Sequence, residues 1–94
     1  MVAFLSQPKP RPVEIRLLPQ EQEGCCTFGG QFVATRNALD HFGLEPIVAA
    51  LGMLRKKAEE GASLDYLQVF EIDGERLWII DDVEVVTALR PDDY

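Results

Sequence analysis

Few residues in this chain have side chains suited to chemistry: one histidine, His41, one adjacent thiol pair, Cys25 and Cys26, and 16 carboxylates. A structural zinc site needs four nitrogen or sulfur ligands, usually as separated pairs, and one histidine with two neighbouring cysteines does not supply them. A cysteine nucleophile needs an imidazole within hydrogen-bond reach and a third group to orient it. No residue pattern around Cys25, Cys26 or His41 provides that third group. Glycosidase-type acid–base catalysis needs two carboxylates held apart at a defined distance, and no signature here pairs them. The stretch "DDVE" (81–84) lacks the glycine and the regular oxygen spacing of a calcium loop. These absences predict a protein that is not an enzyme, with no metal and no cofactor.

The carboxylates are unevenly placed, and that is the strongest chemical signal in the chain. The net charge is −7. Residues 1–58 sum to +2, whereas residues 59–94 sum to −9. In "LWIIDDVE" (77–84) an apolar run meets acid abruptly, and Asp81, Asp82, Glu84, Asp92, Asp93 and Glu75 form the candidate partner-binding set. An acidic surface speeds association with a basic partner, and a folded row of acids can imitate a phosphate backbone. The plainer reading is that an acidic rim keeps an apolar sheet edge from pairing with other chains.

The elements that must carry these residues follow from spacing. Pro8, Pro10 and Pro12 alternate, which predicts a flexible proline-rich segment over residues 1–12. "VEIRLL" (13–18) reads as a short strand. "FGGQFVAT" (28–35) reads as a second, with its glycines marking a bulge or a close backbone approach. Thr35 is placed to cap a helix over residues 36–42 that Gly43 closes. Pro46 suits the first position of a second helix, whose Ile47, Leu51, Leu54 and Ala58 form one apolar stripe. Gly52, within that helix, suggests close packing against another element. Asp73-Gly74 is a strong type I′ hairpin signal. It sets Ile72 opposite Glu75, Glu71 opposite Arg76, Phe70 opposite Leu77 and Val69 opposite Trp78. Both faces of these strands are apolar, so at least one is expected to be central and covered on both sides, with Trp78 in the core. A further turn after Asp81-Asp82, its carboxylates toward solvent, leads into "VEVVTAL" (83–89).

Two helices joined at a glycine also resemble a helix-turn-helix in outline. The second, however, carries "IVAALGML" where a reading helix needs polar side chains. Direct nucleic-acid binding is therefore not expected.

Two blocks, "GGQFVATRNAL" and "DGERLWIIDDVEVVTALRPDDY", resemble a family of short proteins of unknown function carried on bacterial plasmids and other mobile elements. The matching residues are Gly30, Gln31, Val33, Ala34, Thr35 and Leu39, then Leu77, Trp78, Ile79, Ile80, Thr87, Leu89, Pro91, Asp92, Asp93 and Tyr94. The residues between the blocks depart from the family's pattern, so the resemblance implies a fold and a mobile-element setting rather than a site.

The fold expected is α+β: two helices packed on an antiparallel sheet, with a C-terminal three-stranded meander, in one domain over residues 13–94. The function expected is a small acidic module that binds a protein partner through its C-terminal acidic strands, with a basic partner favoured by charge and a homodimer left open. The alternatives are a DNA-mimic inhibitor of a nucleic-acid-binding enzyme, of the mobile-element or phage counter-defence kind, and a helix-turn-helix regulator. No membrane association is expected. No apolar run reaches spanning length, and the start of the chain lacks a secretory pattern, so a cytoplasmic location is expected.

Overall fold

A computed structural model describes residues 13–94, and the segment expected over residues 1–12 lies outside the described residues. The elements are β1 (Ile15–Leu17), β2 (Gln31–Ala34), α1 (Arg36–Phe42), α2 (Leu44–Glu59), β3 (Leu67–Ile72), β4 (Glu75–Asp82) and β5 (Val85–Leu89), with a 3-10 turn at Pro91–Asp93. One five-stranded sheet has the order β1-β3-β4-β5-β2. The fold is α+β, as expected, with β3, β4 and β5 as an antiparallel meander. β1 joins β3 antiparallel, but β2 lies parallel to β5, so the sheet is mixed.

Local chemistry explains most boundaries. Asp73 and Gly74 both have positive φ, 50° and 82°, as a type I′ turn requires, and the β3–β4 register has all four expected pairs. Thr35 caps α1 by accepting from the Ala38 amide at 3.1 Å. Gly43 ends α1 and begins α2 with φ 83° and ψ 161°, a conformation open essentially to glycine alone, while its amide donates to Leu39. That conformation lets α2 begin at Leu44, so Pro46 stands third rather than first. The placement is tolerated because the first four amides of a helix have no partner within it.

The core lies between the helices and one face of the sheet. Ile47, Ala50, Leu51 and Leu54 of α2 and Ala38 of α1 meet Phe70, Ile72, Leu77, Ile79, Val86 and Ala88, with Phe28 and Leu64 closing the sides. The apolar stripe of α2 is as expected, except that Ala58 is only partly buried. Gly52 corrects the expectation of close packing. A Cβ there would meet nothing within 4 Å, because residue 52 lies on the solvent side of α2. The substitution Gly52→Ala is therefore expected to raise stability by about 0.5–1 kcal/mol, measured as a higher urea midpoint at unchanged slope. A neutral or lower midpoint would show a contact at this position.

Candidate interaction face

β4 alternates strictly. Leu77, Ile79 and Asp81 point to the helices and are buried, whereas Arg76, Trp78, Ile80 and Asp82 point to the other face. The same alternation puts Leu67, Val69 and Glu71 of β3 and Val85, Thr87 and Leu89 of β5 on that second face. The pairings build two apolar rows across the sheet: Val69, Trp78 and Leu89, then Leu67, Ile80, Thr87 and Val33. Among the described residues, neither α-helix covers this face, while the C-terminal 3-10 turn packs against β4 and Leu89 is 5% exposed. Val33 is 40% exposed, and Trp78 and Ile80 are half-buried. Tyr94 leans in, edge-on to Trp78 at 5.7 Å between ring centres, while remaining 81% exposed.

Two expectations are corrected here. β3 and β4 are central in the sheet, but their covering is one-sided. Trp78 sits on the open face and outside the core, because the strand period that buries Leu77 and Ile79 turns position 78 away. A sheet with one wet face ordinarily carries polar residues on it; this face instead carries two apolar rows, half-buried around Trp78 and Ile80 and closed off at the buried Leu89.

The six candidate acids fall into separate groups. Asp82 and Glu84 are exposed at the β4–β5 turn. Glu75 begins β4, about 20 Å away at roughly 3.3 Å per residue, and Asp92 and Asp93 lie near it, beyond the end of β5. Asp81 faces inward, against the expectation that it points to solvent: it is 9% exposed, and its carboxylate accepts from the Phe28 amide at 3.0 Å and the Val83 amide at 2.9 Å. For the same reason β4 runs on through Asp82, and the chain turns at Val83-Glu84. That turn is tight: Glu84 N donates to Asp82 O at 2.7 Å, and Val83 has φ 63° at 86% exposure, a strained state for a β-branched residue.

Asp93 is also engaged within the chain. It accepts from the Arg90 amide, the Thr35 hydroxyl at 2.7 Å and the Asn37 amide, and these bonds, the Arg90 bond foremost, hold its carboxyl below the usual aspartate range. This clamp ties the end of β5 to the start of α1 and places the two resembling blocks side by side. A folded-state pKa below the unfolded one means that the ionised carboxylate stabilises the fold above about pH 4, and that this contribution is lost as pH falls through the lower folded value. Asp93→Asn is accordingly expected to lower the melting temperature at about pH 7, with the gap to wild type closing as pH falls below the usual aspartate range. A gap independent of pH would rule out the charge as its source.

Glu75 meets Arg90 and His41 at the same end of the molecule. Arg90 Nη2 donates to it at 2.9 Å, while Arg90 Nη1 lies 3.2 Å from His41 Nδ1. With its proton on Nε2, neutral His41 accepts from Arg90 and faces Glu75 at 3.3 Å. The trio stitches α1 to the sheet beside a recess of about 100 Å³ lined by Val13, Phe42, Pro46 and Ile72. The cysteines lie toward the other end of β4, so the imidazole and the thiols do not meet. Both thiols are free, and burial, followed by the Asp81 charge, pushes Cys26 up.

No family model, curated protein or solved structure matches the chain. The likeness of the two blocks to mobile-element proteins therefore has no family match beside it. Among the described residues, no three His, Cys, Asp or Glu side chains converge to hold a metal ion, and no helix is long and apolar enough to cross a membrane.

Sequence reasoning passed over Gln68, Arg55 and Arg90. Gln68 is fully buried on the helix side, exchanging amide bonds of 2.8 Å with Gln22. Its place in the alternation of β3, between Leu67 and Val69, was the available signal. Arg55 reaches back from α2 to donate to Phe28 O at 2.7 Å and Gly30 O at 3.2 Å.

Proposed function

We propose that this protein is a non-enzymatic association module whose working surface is the open face of the sheet, on the C-terminal strands β3, β4 and β5. The observation that supports this reading is the pair of apolar rows centred on the half-buried Trp78 and Ile80, over which neither α-helix lies. Asp82, at the edge of that face, and Glu84, at the adjoining turn, would steer and orient a protein partner rather than supply most of the affinity. A DNA-mimic role gains less support, since it needs one continuous acidic row, and the acids are split between two ends, with Asp81 buried and Asp93 clamped. The helix-turn-helix alternative gains less still, because α2 turns Ile47, Ala50, Leu51 and Leu54 into the core.

Binding through apolar rows and binding through charge respond differently to salt. A partner held by the face is expected to stay bound between about 0.1 M and about 1 M salt. Ile80→Lys is expected to release it, and Asp82→Asn with Glu84→Gln to weaken it only modestly. Loss of binding with salt, or with the acid variant alone, would overturn the reading in favour of charge.

A further inference from the structure

Resting on that reading of the open face, we infer that its partner is a second copy of this chain, stacked sheet to sheet about a two-fold axis that lies in the interface and runs across the strands. The outward residues of β4 read Arg76, Trp78, Ile80, Asp82: cation, apolar, apolar, anion, symmetric in position about Ile79. A two-fold across the strands at Ile79 reverses strand direction and sets each strand over its own copy. Arg76 then meets Asp82 of the second copy, and Trp78 meets Ile80. The neighbouring strands obey the same centre. Ile79 pairs with Gln68 on β3 and with Ala88 on β5, so Leu67 meets Val69 and Thr87 meets Leu89. Apolar groups thus oppose apolar groups on β3 and β4, while on β5 Thr87 comes over Leu89, which is already only 5% exposed within one copy.

The charged groups fit this arrangement. Arg76 is 55% exposed, with its nearest carboxylate, on Glu71, a loose 3.9 Å away. Asp82 is exposed and has no ion-pair partner among the described residues. Glu71 would approach Asp65 of the second copy, and Arg16, 2.6 Å from Glu71, offsets one of these two negative charges. Aligned sheets cross at about 30° and stack about 10 Å apart. Arg76 and Asp82 each lie about 10 Å from the centre along the strand, so the crossing displaces them by about 5 Å. An arginine side chain spans that offset. An axis along the strands would instead bring Arg76 against Arg76 and Asp82 against Asp82. Five strands of three to eight residues give a plate of at most roughly 20 by 20 Å per copy, about 800 Å² over both copies and below the range of stable specific interfaces. The dimer is therefore expected to dissociate in the micromolar range.

The test uses the full chain and its sole tryptophan, Trp78, which lies at the centre of the face. Sedimentation velocity from about 2 to about 500 µM is expected to show monomer giving way to dimer. Acrylamide quenching of Trp78 is expected to fall at least twofold over the same range. Arg76→Asp and Asp82→Arg are each expected to weaken association at least tenfold, and the double swap to restore it. A dimer whose formation leaves Trp78 quenching unchanged, or single swaps without effect, would overturn the proposal by placing the contact elsewhere. A monomer at every concentration with Trp78 open to acrylamide would overturn the second copy but leave the face free for a different protein. A monomer with Trp78 shielded throughout would overturn both readings, since the chain's own residues would then cover the face.

Discussion

Asp81→Ala is expected to lower the stability of the fold by about 2–4 kcal/mol, more than any change at the other candidate acids. Removing the carboxylate leaves the amides of Phe28 and Val83 without acceptors, and Phe28 is wholly buried. A hydrogen bond to a charged acceptor contributes about 1.5–3 kcal/mol, and an unpaired buried donor carries its own desolvation cost. Phe28 also sits at φ 55° and Val83 at φ 63°, so both strained residues are held by the same side chain. Asp81→Asn keeps one acceptor oxygen and turns an NH₂ toward the other donor, which predicts an intermediate loss. Urea unfolding of the three proteins, compared by midpoint at equal slope, checks this. A loss below about 1 kcal/mol for Asp81→Ala would mean that water replaces the carboxylate.

Gly30→Ala is expected to cost about 2–3 kcal/mol. A Cβ at position 30 would stand 2.7 Å from Glu84 O and 2.8 Å from Val83 O. Both obstacles are backbone, so neither can rotate aside. Relief requires β2 to withdraw from the β4–β5 turn, which also breaks the 3.0 Å bond from Gln31 N to Glu84 O. Hydrogen exchange at the Gln31 and Val33 amides should therefore speed up selectively, with the β3–β4 ladder unaffected. Uniform loss of protection across the sheet would indicate global unfolding instead. Set beside Gly52→Ala, the same chemical change has the opposite sign, because one glycine faces backbone and the other faces water.

The two large effects meet in one small region. Phe28 and Gly30 are tied to the β4–β5 turn through Asp81 and Glu84, and to α2 through Arg55. This knot seats β2 at the sheet edge and leaves Asp82, Val83 and Glu84 projecting at the tip of the turn. An acid three residues before Glu84 thus works inside the protein, whereas its neighbours work outside.

Features governed by neighbouring residues were legible in the chain itself. Asp73-Gly74 dictates its hairpin and register, since only a type I′ geometry suits both residues and the strand twist. Thr35 and Gly43 bound α1 for similarly local reasons, and the four-three spacing of Ile47, Leu51 and Leu54 specifies which side of α2 is buried. The glycine pair before β2 likewise signalled a close backbone approach, which Gly30 makes. Features governed by distant residues were not legible. The parallel seat of β2 beside β5 depends on Thr35 meeting Asp93 across 58 positions of sequence. The inward turn of Asp81 depends on an amide 53 positions earlier. Which face of a doubly apolar strand is covered depends on where the helices dock, and alternation alone treats the two faces alike. The sequence by itself therefore determined the local elements, the meander and the excess of acid in the C-terminal third. Only the tertiary structure decided that the acids divide and that Trp78 lies on an open face, because burial is settled by contacts between segments far apart in the chain.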